Sequence, residues 1–230
     1  MGKRGPKPKT GEIVWTPALA YAVGLITTDG CLSNDGRHLT LVSADIEQIE
    51  NLKKCLGLHV KTGVHSSGRA HANTKAHRVQ WGDVQLYHFL LAIGLMPNKS
   101  LQLKRLLIPD QYFFHFLRGC FDGDGSFYSY YDSRWKSSFM FYISFASASQ
   151  TYTNWIRDTI TRLVGVSGHI SFRLGDGKKR HDMFNLRYAK KESLVVMKRM
   201  YASSKKMFLS RKRLKIQKAL RIVGLSFAKG

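Results

Sequence analysis

Apolar and polar positions along this 230-residue chain change period several times, and each change predicts an element. Apolar residues spaced three and four apart predict a first helix that begins at Thr16-Pro17 and runs to about Thr28. A period of two around the turn signal Asn34-Asp35-Gly36 then predicts a pair of strands. The elements that follow are a helix capped by Asp45, a strand pair near 58–65 and 76–82, and a helix ending at Gly94.

The same order of elements starts again beyond a seam near residues 100–109. Pro109-Asp110 opens a helix that we expect to end at Gly125. The later elements are strands near 126–131 and 138–147, a helix containing Trp155 and Leu163, strands near 169–173 and 183–188, and helices near 190–200 and 207–223. An internal repeat of this length predicts a mixed α+β fold of two tandem units. The expected division is a basic flexible tail at 1–12, a first domain at 13–106 and a second domain at 107–230.

The charge of the chain is strongly unbalanced, with 37 Lys and Arg against 15 Asp and Glu and a formal net charge of +22. Such a surface attracts polyanions, which favours nucleic acid as the partner. A membrane surface is the rival, but no apolar run approaches the roughly 20 residues of a membrane span, and the first residues lack the apolar stretch of a signal peptide. We therefore expect a protein that is neither secreted nor bound to a membrane.

The three cysteines bear on the cellular compartment, and the first residues bear on possible contacts with nucleic acid. Cys31, Cys55 and Cys120 are scattered, which argues against a disulfide framework or a zinc site and favours a reducing intracellular compartment. The tail at 1–12 is basic and has no large apolar core residues. Its composition fits either a solvated leader or an arm that lies along phosphates.

Each repeat opens with a helix whose last nine residues follow one pattern, at 22–30 and at 117–125. Gly24 and Gly119 would let the two helices approach closely. Helix C-termini present free carbonyls and a negative dipole, so they favour cations. With Asp29 and Asp124 added, they would form an oxygen-rich cage suited to Mg²⁺. One Asp-Gly-Asp-Gly run would be an ordinary turn, but two copies at the same point of a repeat favour a shared site.

Both nine-residue segments resemble the LAGLIDADG motif of homing endonucleases, although Ala22 and Thr27 depart from it in the first copy. The resemblance implies two pseudo-symmetric domains, each a four-stranded antiparallel, saddle-shaped sheet with helices on one face, and the motif helices at their interface. It also implies a monomer that makes a double-strand break in a long, non-palindromic DNA site during intron or intein homing. Such an enzyme acts where its host gene lies, in a bacterial or archaeal cytoplasm or in an organelle. Mg²⁺ is the expected cofactor, with Mn²⁺ substituting and Ca²⁺ binding without supporting cleavage.

The resemblance assigns roles at the helix ends. Asp29 and Asp124 are the expected catalytic acids and metal ligands, together with Thr28 and Gly123, which precede them. The family carries a basic residue near each scissile phosphate, and the matching segments at 94–100 and 208–212 supply Lys99 and Lys212. The polar residue that orients water after the second strand would be Ser43 in the first domain. Its counterpart in the second domain would be Ser149 or Gln150.

Alternation along the strands predicts one face of each sheet for DNA. Outward residues rich in hydrogen-bonding groups can contact bases and phosphates, while Phe127 and Tyr131 are expected to face inward. The expected DNA contacts are Ser33, Arg37, Thr40, Arg69, Arg78, Gln80, Ser126, Tyr128, Tyr130, Tyr142, Ser144, Ser171, Arg173, Asn185 and Arg187.

Two alternative functions would use the same fold without cleaving DNA. One is an intron RNA maturase, with RNA as a secondary partner, and the other is a DNA-binding regulator. Either would tolerate loss of one acid, so the presence of both Asp29 and Asp124 argues against catalytic decay.

Overall fold

The structure is a computed structural model that describes residues 11–65, 76–176, 181–202 and 207–226. Its elements fall into two halves with the same order, helix, two strands, helix, two strands, helix, and the second half has one more helix. The first half comprises α1 (Pro17–Asp29), β1 (Gly30–Leu32), β2 (His38–Ser43), α2 (Ile46–Leu56), β3 (Gly63–His65), β4 (Ala76–Gly82) and α3 (Val84–Ala92). The second half comprises α4 (Asp110–Gly123), β5 (Ser126–Asp132), β6 (Trp135–Ser147), α5 (Gln150–Val164), β7 (His169–Arg173), β8 (Met183–Ala189), α6 (Lys190–Tyr201) and α7 (Ser210–Ile222).

Each half contains one four-stranded antiparallel sheet, in the order β1-β2-β4-β3 and β5-β6-β8-β7. The registers correspond: Cys31, Thr40 and Gln80 lie side by side in the first sheet, as Ser126, Ser144 and Arg187 do in the second. The helices pack against one face of each sheet and leave the other face open. The predicted mixed α+β class is confirmed, whereas the domain boundaries stay a prediction.

The two motif helices, α1 and α4, lie against each other with their backbones in contact. A Cβ atom added at Gly24 would lie 2.8 Å from Gly119 Cα and from the Cys120 amide nitrogen, and one at Gly119 would lie 2.9 Å from Gly24 Cα. No side chain fits at these distances. Glycine is therefore required at both positions, and the helix ends that carry the two acids are brought together.

Local sequence explains where some of the helices begin. Thr16 caps α1 by accepting a hydrogen bond from the Leu19 amide at 3.0 Å, as its residue type predicts. Asp45 precedes α2 but its side chain makes no capping bond, and instead it pairs with Arg211 of α7. The expectation for Tyr131 is wrong: it shares a strand face with Phe127 but is 57% exposed, and it lies at the register shift near the tip of the hairpin, with its ring edge-on to buried Phe139.

A segment at 207–211 ties the second half to helix α2 of the first. The Asn51 side-chain amide donates to the Phe208 carbonyl at 2.9 Å, and the Ser210 amide donates to Glu47 at 2.8 Å. The buried Arg118 of α4 donates to the Met207 carbonyl at 2.7 Å and so holds the start of this segment. The two halves are therefore joined through α7 as well as through the motif helices.

No helix among the described residues has the length and apolar character needed to cross a membrane. Residues 1–10 of the predicted tail and Arg69 of the expected DNA contacts lie outside the described residues.

Candidate active site at the ends of the motif helices

The two acids occupy matching places at the ends of the motif helices. Asp29 is the last residue of α1, and Asp124 follows α4 directly. The carboxylate of Asp29 reaches the other helix, because a Cβ atom added at Gly123 would lie 2.7 Å from its Oδ2 atom. Burial raises the pKa of Asp29, and the negative charge of Asp124 raises it further. Desolvation also raises the pKa of Asp124, although that residue is partly exposed to solvent. Two crowded carboxylates of this kind favour a bound cation.

In the first half, an amide positions the acid. The Gln48 side chain donates to Asp29 Oδ2 at 2.5 Å, and this bond opposes the rise in the pKa of Asp29. Ser43 in turn donates to Gln48 Oε1 at 2.8 Å, so the amide is held from behind. Sequence reasoning named Ser43 but missed Gln48. The available signal was a polar residue beside Ile49 and Leu52 on the buried face of α2.

The second half repeats the serine turn that precedes the second helix of the first half, but different side chains follow the turn. The Ser149 amide donates to Ser147 Oγ at 3.1 Å, as the Asp45 amide donates to Ser43 Oγ at 3.0 Å. Ser147 is therefore the counterpart of Ser43, and the alternatives of Ser149 and Gln150 miss it. Buried Ser149 caps α5, whereas Gln150 is exposed.

The position equivalent to Gln48 holds Tyr152, three residues after the cap position in each case. Its hydroxyl lies 3.4 Å from Cys120 Sγ, within a buried pair. Among the described residues, no side chain donates a hydrogen bond to Asp124.

The two expected lysines reach the helix ends from opposite halves of the chain. The Lys99 amine donates to the carbonyl of Gly30, the residue after Asp29. The Lys212 amine donates to the carbonyls of Phe121, Asp122, Gly123 and Gly125 at 2.6 to 2.9 Å. Desolvation lowers the pKa of both amines, that of Lys212 to about 8.

A third carboxylate, Asp122, is buried two residues before Asp124 and serves the fold. It accepts hydrogen bonds from the Tyr21 hydroxyl at 2.7 Å and from the Leu209 amide at 2.8 Å. Burial raises its pKa to about 6. Thr27 holds the matching position of α1 and donates to its own helix, at the Val23 carbonyl.

The atoms at the helix ends that could bind a metal ion are oxygens. Among the described residues, no group of three or more His, Cys, Asp or Glu side chains could hold a metal ion. The Gly123 carbonyl is bound to Lys212, and the Thr28 hydroxyl donates to the Leu25 carbonyl at 3.1 Å. Two close carboxylates with main-chain oxygens fit a hard divalent cation such as Mg²⁺, which keeps several water ligands.

Comparison with solved structures places this arrangement in a known fold, although no protein-family model and no curated protein matches the chain. The homing endonuclease I-WcaI bound to its DNA recognition sequence matches with a TM-score of 0.60 and 13% identity over 88% of each chain. The LAGLIDADG meganuclease I-AabMI bound to uncleaved DNA matches with a TM-score of 0.59 and 13% identity over 91% of each chain. This chain has the LAGLIDADG homing endonuclease fold.

Full-length DUF199/WhiA from Thermatoga maritima matches as well, with a TM-score of 0.54 and 12% identity over 93% of this chain. This chain spans 62% of the length of WhiA. The LAGLIDADG fold is thus shared by proteins of different length and name, and the fold alone does not assign a function.

A cavity of about 480 Å³ opens beside the second acid of the LAGLIDADG helices. Asp124, Tyr152 and Arg173 of the second half line it together with Lys99 of the first half. The cavity therefore receives basic side chains from both halves next to one carboxylate.

The open sheet faces carry most of the expected DNA contacts. Side chains on these faces, or in the first hairpin beside them, that are exposed or half-buried are Ser33, Arg37, Thr40, Arg78, Gln80, Ser126, Tyr128, Tyr130, Tyr142, Ser171, Arg173, Asn185 and Arg187. Ser144 departs from the expectation. It lies on this face between Ser126 and Arg187, but its neighbours cover its short side chain and leave it 8% exposed.

Proposed function

We propose that this protein is a divalent-metal-dependent DNA endonuclease that makes a double-strand break in a long, non-palindromic site, in the manner of intron or intein homing. The observation that carries the proposal is the meeting of Asp29 and Asp124 at the ends of two helices in backbone contact. The fold is shared with WhiA too, so the acids, and not the fold, support cleavage.

The chain's own residues support distinct tasks. Asp29 and Asp124 would hold the metal, and a bound divalent cation would supply water activation and charge neutralisation at the phosphate. Lys99 and Lys212 place positive charge beside each acid, where negative charge develops on the phosphate. Gln48 fixes the orientation of Asp29. The net charge of +22 favours the approach of DNA and its phosphate contacts.

The unequal halves support a non-palindromic target for one monomer. The two open faces differ in residue type at corresponding positions, so each would read its own half-site. The endonucleases I-WcaI and I-AabMI, which share this fold, are bound to DNA in their solved structures.

The test is cleavage of a randomised duplex library with Mg²⁺, Mn²⁺, Ca²⁺ or EDTA, followed by sequencing of the new ends. We expect defined ends with Mg²⁺ and Mn²⁺ and none with Ca²⁺ or EDTA. Asp29→Asn and Asp124→Asn should each reduce double-strand cutting by about a hundredfold or more while sparing DNA binding. Asp158→Asn, an exposed acid on α5, is the matched control and should cut as the unchanged protein does. Defined ends that persist in both site variants would contradict the proposal, and binding without cleavage in any metal would support the regulator or maturase alternatives.

A further inference from the structure

Three tyrosines and an arginine form a continuous row across the open face of the second sheet, which we name the aromatic ladder: Tyr130, Tyr128, Tyr142 and Arg187. The rings of Tyr130 and Tyr128 lie 5.7 Å apart, and those of Tyr128 and Tyr142 lie 5.3 Å apart. The Arg187 guanidinium lies 4.4 Å from the centre of the Tyr142 ring. Tyr128 is 51% exposed and Tyr130 is 41% exposed, so an apolar strip faces outward on a highly basic protein.

Within the part of the chain that the structure describes, the first sheet has no such row, because its first hairpin is shorter and carries no tyrosine at the matching positions. Tyr128 and Tyr142 stand where the first hairpin has Ser33 and His38, and Tyr130 lies on the part of β5 that extends beyond the matching first hairpin. At the positions that match Tyr128, Tyr142 and Arg187, the first half has Ser33, His38 and Gln80. The ladder therefore distinguishes the second half-site from the first.

The chemistry of the major groove limits what an aromatic strip can recognise there. The faces of paired bases are covered by their neighbours, and the groove displays base edges. The one apolar group on those edges is the C5 methyl of thymine. The step of 5.7 Å from Tyr130 to Tyr128 runs along β5, and the step of 5.3 Å from Tyr128 to Tyr142 crosses to β6, so each step covers about one to two base-pair steps of duplex at 3.4 Å each.

We propose that the aromatic ladder recognises the methyl groups of a short run of thymines in the half-site that faces the second sheet. This rests on the proposed function, in which the open faces contact duplex DNA. Arg187 holds the Tyr142 ring in place, and Arg173 on the same face supplies positive charge for the flanking phosphates.

Stacking of unpaired bases is the competing use of exposed aromatic rings. It needs ring faces that are free. Here the ladder rings are inclined at 33° to 46° against one another, and Arg187 covers one face of Tyr142. The arrangement therefore favours contact with methyl groups over insertion of bases.

The experiment selects duplexes that bind the full chain in EDTA, where no cleavage occurs, from a random library. The selected sites should contain a short run of about two or three adjacent thymines in one half-site. The preferred duplex is then synthesised with deoxyuridine at those positions, which removes only the methyl groups. Binding should weaken by about fourfold for each methyl lost.

The variants assign this effect to the ladder. Tyr128→Ser should bind the thymine and deoxyuridine duplexes with nearly equal affinity. Tyr131→Ser is the matched control, since it lies on the same strand, is as exposed, and faces away from the ladder; it should keep the preference for thymine.

Three outcomes would overturn the inference. Equal affinity of the unchanged protein for the two duplexes, with binding and cleavage intact, would overturn this inference alone. Tighter binding of the single strand than of the duplex, lost in Tyr128→Ser, would show that the ladder stacks unpaired bases instead. Failure to bind any duplex would overturn the proposed function together with this inference.

Discussion

In the first half of the site Gln48 donates a hydrogen bond to Asp29, whereas the equivalent residue of the second half, Tyr152, is paired with Cys120. The serine turn behind both residues is the same, as the bonds to Ser43 and Ser147 show. The repeat has therefore kept the backbone that carries the site and changed the side chain beside one acid. Equivalent positions in the two halves are not equivalent in chemistry.

The lysines differ in the opposite sense. Among the residues that the structure describes, Lys99 donates to a single carbonyl in the first half, whereas Lys212 donates to four carbonyls at the end of α4. In the first half, a side chain thus hydrogen-bonds to the acid, whereas in the second half the hydrogen bonds go to the main-chain carbonyls at the helix end. Mutations at matched positions should separate these two uses.

The largest difference is expected from the lysines. Lys212→Met should lower the free energy of unfolding by about 3 kcal/mol, because it leaves several buried carbonyls without a donor. Lys99→Met removes the donor of one carbonyl and should cost about 1 kcal/mol. Urea unfolding followed by circular dichroism measures both. Lys218→Met, at an exposed position of α7, controls for loss of charge, and equal losses for Lys99 and Lys212 would contradict the comparison.

A smaller effect, on the rate of strand cutting, is expected from substitution of Gln48. Gln48→Leu should slow cutting of one strand by about tenfold, within the range typical of groups that orient a metal ligand. Since the second acid does not depend on Gln48, nicked circles should accumulate when a supercoiled plasmid carrying the target site is digested.

The matched change in the second half is Tyr152→Phe, which removes a hydroxyl that contacts Cys120 and not Asp124. It should leave the ratio of nicked to linear product unchanged. Equal slowing of both strands by Gln48→Leu would mean that the halves of the site are coupled in a way that the geometry does not indicate.

Much of this arrangement could be predicted from the sequence because it depends on local chemistry. Thr16, the turn at 34–36 and the glycines of the motif act within a few residues of their own positions. The close approach of Gly24 and Gly119 followed from the absence of side chains at matching points of a repeat. The fold and the position of both acids rest on such signals.

The partners of side chains that cross between elements could not be predicted in this way. Gln48 reaches Asp29 only because α2 packs beside the end of α1. Lys212 meets α4 only because α7 follows a segment held by Arg118 and Asp122. Likewise, the exposure of Tyr131 goes with its place at the register shift near the tip of the hairpin, which alternation along a strand does not reveal.

The smallest difference concerns the residues before α2 and α5. Ser149→Ala removes a buried hydroxyl that accepts from the Tyr152 amide at 3.2 Å and donates to the Leu103 carbonyl, and it should cost about 1 to 2 kcal/mol. Asp45→Ala removes only a partly exposed ion pair with Arg211, which should be worth less than about 1 kcal/mol. Thermal unfolding of both variants measures the difference, and the double variant Asp45→Ala/Arg211→Ala isolates the pair. If Asp45→Ala costs as much as Ser149→Ala, then Asp45 caps α2 in solution. The two turns would then be alike in use as well as in backbone, and the divergence between the halves would be confined to Gln48, Tyr152 and the lysines.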